Sequence, residues 1–404
     1  MFRPAAQTYP FMTDVSSFPV FKPTNFVFNP SPAPKATVQQ MATFNQSDGQ
    51  STYASSTALD TSAEFSQFAP TGQKANPAGK LYELPQHLAD QLSAEDIDII
   101  FQVETLAFDQ AGCRMIQRKL EDNFAEKTRE GAFAAGILHV MHDILPDVMT
   151  NQFGNYLCQK LIEVCPTASL KQLVHAVLPS VVEISMDLHG TRVIQTLVEV
   201  LGREPAALHH QILAMGAEMS QYIFDLSTHP NGNHVIQAFL LTFKASETPE
   251  EGDSPGAEAF AAYTQFIFGA CMAYCDQIGS DKHGCCVMQR CLEKGLTAQK
   301  FALADVIIRR IHFLIEDPYG NYLVQNVLKL KNEMRNDQIL NFIAGDFVRL
   351  SQLKFSSNVI EKCLETRQAA FQIDQIFKGT HYWDDQVLLR ELGHHSRNRE
   401  LRVN

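Results

Sequence analysis

Residues 317–329 read DPYGNYLVQNVLK, and this stretch decides the fold. An Asp just ahead of the Gly can accept hydrogen bonds at a helix start, and the Gly permits a tight turn into that helix. Leu323, Val324, Val327 and Leu328 then recur at helical spacing and make one apolar face. Six further segments align on the same pattern: QAGCRMIQRKLE (110–121), NQFGNYLCQKLIE (151–163), DLHGTRVIQTLVE (187–199), HPNGNHVIQAFLL (229–241), DKHGCCVMQRCLE (281–293) and KFSSNVIEKCLE (354–365). The residue after the Gly, or after the Ser that replaces it in the last segment, falls at 113, 155, 191, 233, 285, 321 and 357. Successive differences are 42, 36, 42, 52, 36 and 36, so the base period is 36 with extra residues in some connections. A single unit of this size cannot bury its apolar face alone. Neighbours must stack, which predicts an all-α, curved solenoid of helical repeats.

Composition agrees outward from the repeats. Hydrophobic residues make up 45% and charged residues 19%, enough apolar surface for an extended core. From Leu81 onward Pro is rare, apolar residues recur three and four apart, and almost nothing alternates as a strand would. Residues 1–80 differ: they hold nine of the 18 prolines and nine phenylalanines, five basic and four acidic residues, and no regular period. They read as a disordered tail whose phenylalanines suit short docking motifs. Residues 81–380 read as the repeat domain, and 381–404 as a degenerate or truncated cap around Leu388–Arg397. The largest insertion, 245–259, carries five acids and neither Lys nor Arg, and reads as a surface loop.

Charge and chemistry exclude several functions. The net charge of −12 argues against a polybasic nucleic-acid binder acting through bulk charge, though not against a local binding face. The folded part carries 28 basic and 41 acidic residues, which predicts acids on an outer face and a basic or polar inner one. No continuous apolar run approaches the roughly 18 residues of a membrane span, and MFRPAAQTYPFM lacks a signal peptide's apolar stretch. Nine irregularly spaced cysteines then read as reduced thiols in a cytosolic or nuclear protein. Cys271, Cys275, His283 and Cys285 could suggest zinc, but Cys285 already has a place in the repeat and there is no CxxC pair. No metal or other cofactor is expected. There is no nucleophile elbow, P-loop or HExxH, so no enzyme is expected either.

The distinctive residues lie between the Gly and the apolar run. Position one and position five of each motif share a helical face. The pairs are Cys113/Gln117, Asn155/Gln159, Thr191/Gln195, Asn233/Gln237, Cys285/Gln289, Asn321/Gln325 and Ser357/Glu361. Between them stand Arg114, Tyr156, Arg192, His234, Cys286, Tyr322 and Asn358. Six Gln and one Glu at one repeat position form a polar ladder. With planar side chains beside it, such a ladder suits single-stranded RNA, amides and carboxylates meeting base edges and flat groups inserting between bases.

These motifs resemble those of the PUF (Pumilio-type) family of RNA-binding proteins, and the resemblance covers about residues 100–380. It implies three-helix repeats of about 36 residues that each read one base. The family's pattern implies adenine for Cys113/Gln117, Thr191/Gln195 and Cys285/Gln289, uracil for Asn155/Gln159, Asn233/Gln237 and Asn321/Gln325, and guanine for Ser357/Glu361. With RNA antiparallel to the chain, the implied element is 5′-GUAUAUA-3′, within UGUA-type sites of mRNA 3′ untranslated regions. The resemblance further implies a cytoplasmic monomer that regulates mRNA stability or translation, with decay or repression factors docking on its tail or outer face. Segment 59–70, LDTSAEFSQFAP, is faintly similar to a motif that docks on poly(A)-binding protein, though the spacing from Leu59 to Phe68 departs from it. Arg118, Lys160, Arg290 and Lys362 follow the Gln or Glu and are candidates for phosphate. Two features depart from the family: no eighth motif follows the seventh, and Cys286 replaces a planar stacker, as in a subgroup that tolerates an extra central nucleotide. A PUF-like role in ribosomal RNA maturation and a protein-only scaffold are the alternatives. The first usually goes with a degraded code and basic composition, unlike this chain.

Overall fold

The structure, a computed structural model, describes residues 73–75, 81–125, 131–243 and 255–365. The docking segment 59–70, most of the tail and the C-terminal cap lie outside them.

Each of the first six repeats is a short helix, a motif helix and a third helix; the described part of the seventh holds the short helix Phe347–Gln352 and its motif helix. In the third repeat these are Val181–Met186, Gly190–Leu201 and His209–Ser220. The motif helices of the seven repeats are Gln110–Ala125, Gly154–Val164, Gly190–Leu201, Gly232–Thr242, Gly284–Lys294, Gly320–Lys329 and Ser356–Leu364. Each packs on the next, and the third helices, the longer ones from the fourth repeat on, form a second row in the same order. Repeats stacked this way form an α-solenoid, the architecture that the 36-residue period predicts. Val193, Ile194, Leu197 and Val198 of one motif helix are fully buried, and one continuous core runs from Leu84 to Cys363.

The start of the motif helix has a common construction. Asp187 Oδ1 accepts from the backbone N–H groups of His189 and Gly190 at 2.7 and 2.8 Å, and Asp281 and Asp317 do the same in their repeats. Asn151 Oδ1 and His229 Nδ1 are the acceptors in the second and fourth repeats. These groups satisfy N–H donors that a helix start leaves without partners. The Gly that follows lies against the preceding short helix. A Cβ on Gly190 would come 2.5 Å from the Ile184 carbonyl oxygen, and one on Gly112 2.6 Å from that of Leu106. In the seventh repeat Ser356 takes this place, fully buried, and its hydroxyl donates to the equivalent carbonyl of Leu350 at 2.6 Å.

Three features differ from the sequence reading. A short antiparallel pair, Gln73–Ala75 with Leu81–Glu83, straddles the composition change at residue 80. Three residues a side are too few for strand alternation to stand out in the sequence. Residues 255–259, read as the end of a surface loop, open the 19-residue helix Pro255–Ala273, and Ala257 is buried. Pro at the first helical position costs no hydrogen bond, so a Pro-Gly pair here begins a helix rather than ending one. Residues 132–150 are apolar enough on average to cross a membrane. They form Ala132–Met141, His142–Ile144 and Leu145–Thr150 in succession, and most of their side chains belong to the core.

Candidate nucleic-acid interface

The motif helices place the ladder residues in one row. In the second, fourth and sixth repeats the row has one repeated geometry. Asn155 Nδ2 donates to the carbonyl oxygens of Asn151 and Gln152 at 2.8 and 3.0 Å. Its Oδ1 accepts from Gln159 Nε2 at 3.1 Å. Asn233 repeats this with His229, Pro230 and Gln237, and Asn321 with Asp317, Pro318 and Gln325. All three Asn are buried, whereas the Gln are half-buried. The Asn therefore orients the Gln through its Nε2, which in Gln159 also reaches the Asn155 carbonyl at 3.3 Å, and no protein donor occupies the carbonyl oxygen of these three Gln among the described residues. Pairing in the sequence assigns both residues to the base edge; in the structure the Asn is buried and the Gln half-buried beside it.

Smaller residues fill the Asn position elsewhere. Cys113 is buried, and its thiol donates to the Ala107 carbonyl at 3.1 Å. Burial, with the Asp109 charge, pushes this thiol up to about 11. Cys285 is likewise pushed up to about 12, by burial first and Cys286 second. Both remain neutral thiols, small and weakly polar. Thr191 donates to the Asn231 carbonyl of the next repeat at 3.1 Å, and Gln195 has longer contacts to Arg192 and the His234 carbonyl, 3.4 and 3.5 Å. Half-buried Gln117 completes the first pair. Ser357 donates to the Lys354 carbonyl at 3.3 Å, and Glu361 is exposed.

The residues between the pairs point outward. Tyr156 is 61% exposed and Tyr322 49% exposed, both large values for tyrosine. Arg114, Arg192, His234 and Cys286 are exposed as well, and Asn358 is half-buried. Burial and the charges of Arg192 and His283 hold the His234 imidazole below its usual range, so it is a neutral aromatic plane near neutral pH. Of nine cysteines, eight are buried and Cys286 is exposed. Cys271 of the discounted zinc group lies 4.0 Å from Cys291 Sγ.

The four cations after the Gln or Glu have acids nearby. Lys160 Nζ pairs with Glu121 at 3.0 Å and Glu163 at 3.2 Å, and these carboxylates hold its ammonium above the usual range. Arg290 pairs with Glu293 at 2.7 Å, and Lys362 with Glu365. Arg118 lines a cleft with Arg114, Lys119, Glu95 and Asp122. Lys160, Arg290 and Lys362 are thus each paired with a carboxylate, whereas the Arg118 cleft holds three cations and two acids. Asn326 occupies the same position in the sixth repeat, is buried, and touches Gln289. The sequence reading passes over it, although its break from the basic pattern is a visible signal.

Seven stretches match the Pumilio-family RNA binding repeat: residues 102–129, 145–178, 180–204, 222–245, 274–308, 311–344 and 346–378. Pumilio homolog 12 of Arabidopsis thaliana is 34% identical over 294 residues, a span that is 72% of this chain and 45% of that protein. The chain therefore spans less than half the length of that relative. The Puf4 RNA-binding domain, bound to the HO endonuclease RNA 3′ UTR recognition sequence, aligns with a TM-score of 0.57 at 33% identity over 67% of this chain and 77% of that one. The RNA-binding domain of yeast Puf5p, bound to AAT2 RNA, aligns with a TM-score of 0.57 at 28% identity over 72% and 73%. With its seven matched repeats, the chain belongs to the Pumilio family of RNA-binding repeat proteins.

Proposed function

We propose that this protein binds single-stranded RNA by sequence, reading UGUA-type elements with the core GUAUAUA in mRNA 3′ untranslated regions, and so regulates the stability or translation of those messages in the cytoplasm. The observation that carries this reading is the row of oriented Gln amides, each with an outward-facing neighbour. A Gln held through one N–H by Asn retains a donor and an acceptor for uracil's N3–H and carbonyl edge. Where Cys or Thr replaces Asn, the small side chain leaves room for adenine, whose N1 accepts from the amide and whose N6 donates to it. Glu361, with acceptors only, suits guanine's adjacent N1–H and N2–H donors. Tyr156, Tyr322, His234 and the Arg planes supply stacking worth about 1–3 kcal/mol per base. Support also comes from the Puf4 domain, whose RNA is a 3′ UTR recognition sequence.

The role proposed is binding, with any effect on a message produced by factors that dock on residues 1–80 or on the row of third helices. Crosslinking the protein to RNA in cells and sequencing the bound fragments tests it. UGUA-containing 3′ untranslated regions are the expected yield. Enrichment of ribosomal RNA precursors, or no enriched motif, would contradict the proposal.

A further inference from the structure

Three of the reading glutamines are oriented from inside their own repeats, through the Asn four residues earlier. Gln289 has no such partner. Cys285 stands at that place, and Gln289 Nε2 reaches only its sulfur, at 3.8 Å. Sulfur is a weak acceptor and supplies little orientation. The strong contact to Gln289 comes from the next repeat: Asn326 Nδ2 donates to Gln289 Oε1 at 3.0 Å. Asn326 is itself held on every side. Its Nδ2 also donates to the Tyr322 carbonyl at 3.0 Å, and its Oδ1 accepts from Lys329 Nζ at 2.8 Å. At 5% exposure it has little room to turn over. A reversed Asn326 amide would put N–H groups against the Lys329 ammonium and its oxygen against a carbonyl.

We infer that Asn326 is a positioning residue that sets the amide orientation of Gln289, so that base choice at the fifth repeat depends on a residue of the sixth. This rests on the RNA readout proposed above. The equivalent position elsewhere holds Arg118, Lys160, Thr196, Ala238, Arg290 and Lys362. Of these only Thr196 has a hydroxyl, and it donates to the Arg192 carbonyl of its own helix. Gln195 meets the following repeat only through the His234 backbone carbonyl, at 3.5 Å, so among the described residues Asn326 is the one side chain at this position that bonds the Gln of the preceding repeat, and the fifth repeat is not an independent reading unit.

The test uses the full chain and three RNAs: GUAUAUA, GUUUAUA with the third base changed, and GUAUAAA with the sixth base changed. The third base faces Gln289 in the proposed register, and the sixth faces Gln159. Asn326→Asp keeps an acceptor for Lys329 but offers Gln289 an acceptor in place of a donor, so the Gln289 amide turns over. The preference for adenine over uracil at the third base should fall about 2- to 12-fold, the worth of one hydrogen bond. The preference at the sixth base should stay as in the wild type. Asn326→Leu, which offers Gln289 nothing, should reduce the same ratio at the third base. Unchanged ratios at both bases would overturn the inference, and so would an equal fall at both, which marks general loosening. A wild-type protein indifferent to both changes would instead defeat the proposed readout, and this inference with it.

Discussion

Glu361 is the single carboxylate among the seven reading positions, and it is exposed at the C-terminal end of the row. A carboxylate donates nothing, so it discriminates by rejecting acceptor-rich edges as much as by holding guanine. Replacing Ser357→Asn and Glu361→Gln recreates the pair at Asn321 and Gln325. The backbone is ready for it: the Lys354 carbonyl that Ser357 reaches corresponds to the Pro318 carbonyl that Asn321 uses. The double variant should prefer UUAUAUA over GUAUAUA, with each discrimination worth about 1–3 kcal/mol, or roughly 5- to 150-fold. Competitive fluorescence titration reads this directly, and persistent guanine preference would mean that the register of the ladder is wrong. The anchoring of Gln in the uracil pairs has its own test. Asn321→Ala removes the anchor of Gln325 and leaves the small side chain of the adenine-type pairs, so the preference for uracil over adenine at the second base should weaken by at least about 2- to 12-fold. If it does not, Gln325 needs no buried partner to hold its orientation.

At the scale of the element, five motif helices start on an Asp or Asn oxygen, the seventh has Leu353 at that place and no side-chain acceptor, and the fourth uses a histidine. There His229 Nδ1 accepts from the N–H groups of Asn231 and Gly232, both at 3.2 Å, in place of an Asp or Asn oxygen. An imidazole does this only when that nitrogen is unprotonated. Burial, with the charge of His283 second, holds His229 below its usual range. The fold thus favours the neutral form. The cap's contribution is complete above about pH 6.5 and is lost as pH falls through the lowered folded value. Urea unfolding followed downward from about pH 7 should show a cap contribution of about 1 kcal/mol declining once the pH is below the ordinary imidazole value. His229→Asp, which installs the acceptor used in the first, third, fifth and sixth repeats, should remove that portion of the pH dependence; an unchanged profile would count against the cap. These starts were legible in advance, because an acceptor, a turn residue and an apolar period lie within one short window. The helix Pro255–Ala273 was less so, since Pro-Gly marks both loop ends and helix starts. The burial of Asn155, Asn233 and Asn321 was not legible at all. A sequence places Asn on the same face as Gln, and only the preceding turn's carbonyls show that it points inward.

For the molecule as a whole, the net charge of −12 and the paired cations of the row bear on how RNA is held. Lys160, Arg290 and Lys362 already have carboxylate partners, so few phosphates displace counterions. The slope of log affinity against log salt should be shallow, above about −2, given about −0.7 per neutralised phosphate of a single strand. A steep slope would show that RNA breaks these ion pairs and takes the cations. Removing residues 1–68 should leave RNA affinity unchanged and abolish repression of a reporter message, because that segment has nine phenylalanines suited to docking, and no ladder motif. A tenfold weaker affinity, or full repression without the segment, would contradict that division. The most direct measurement is a titration of the full chain with UGUAUAUA RNA and with a scrambled RNA of the same composition. Seven reading positions, three of them with the Gln amide held by a buried Asn, predict affinities that differ by more than about tenfold in favour of the ordered site, since a single base-edge pair is worth about that much; equal affinities would contradict the account.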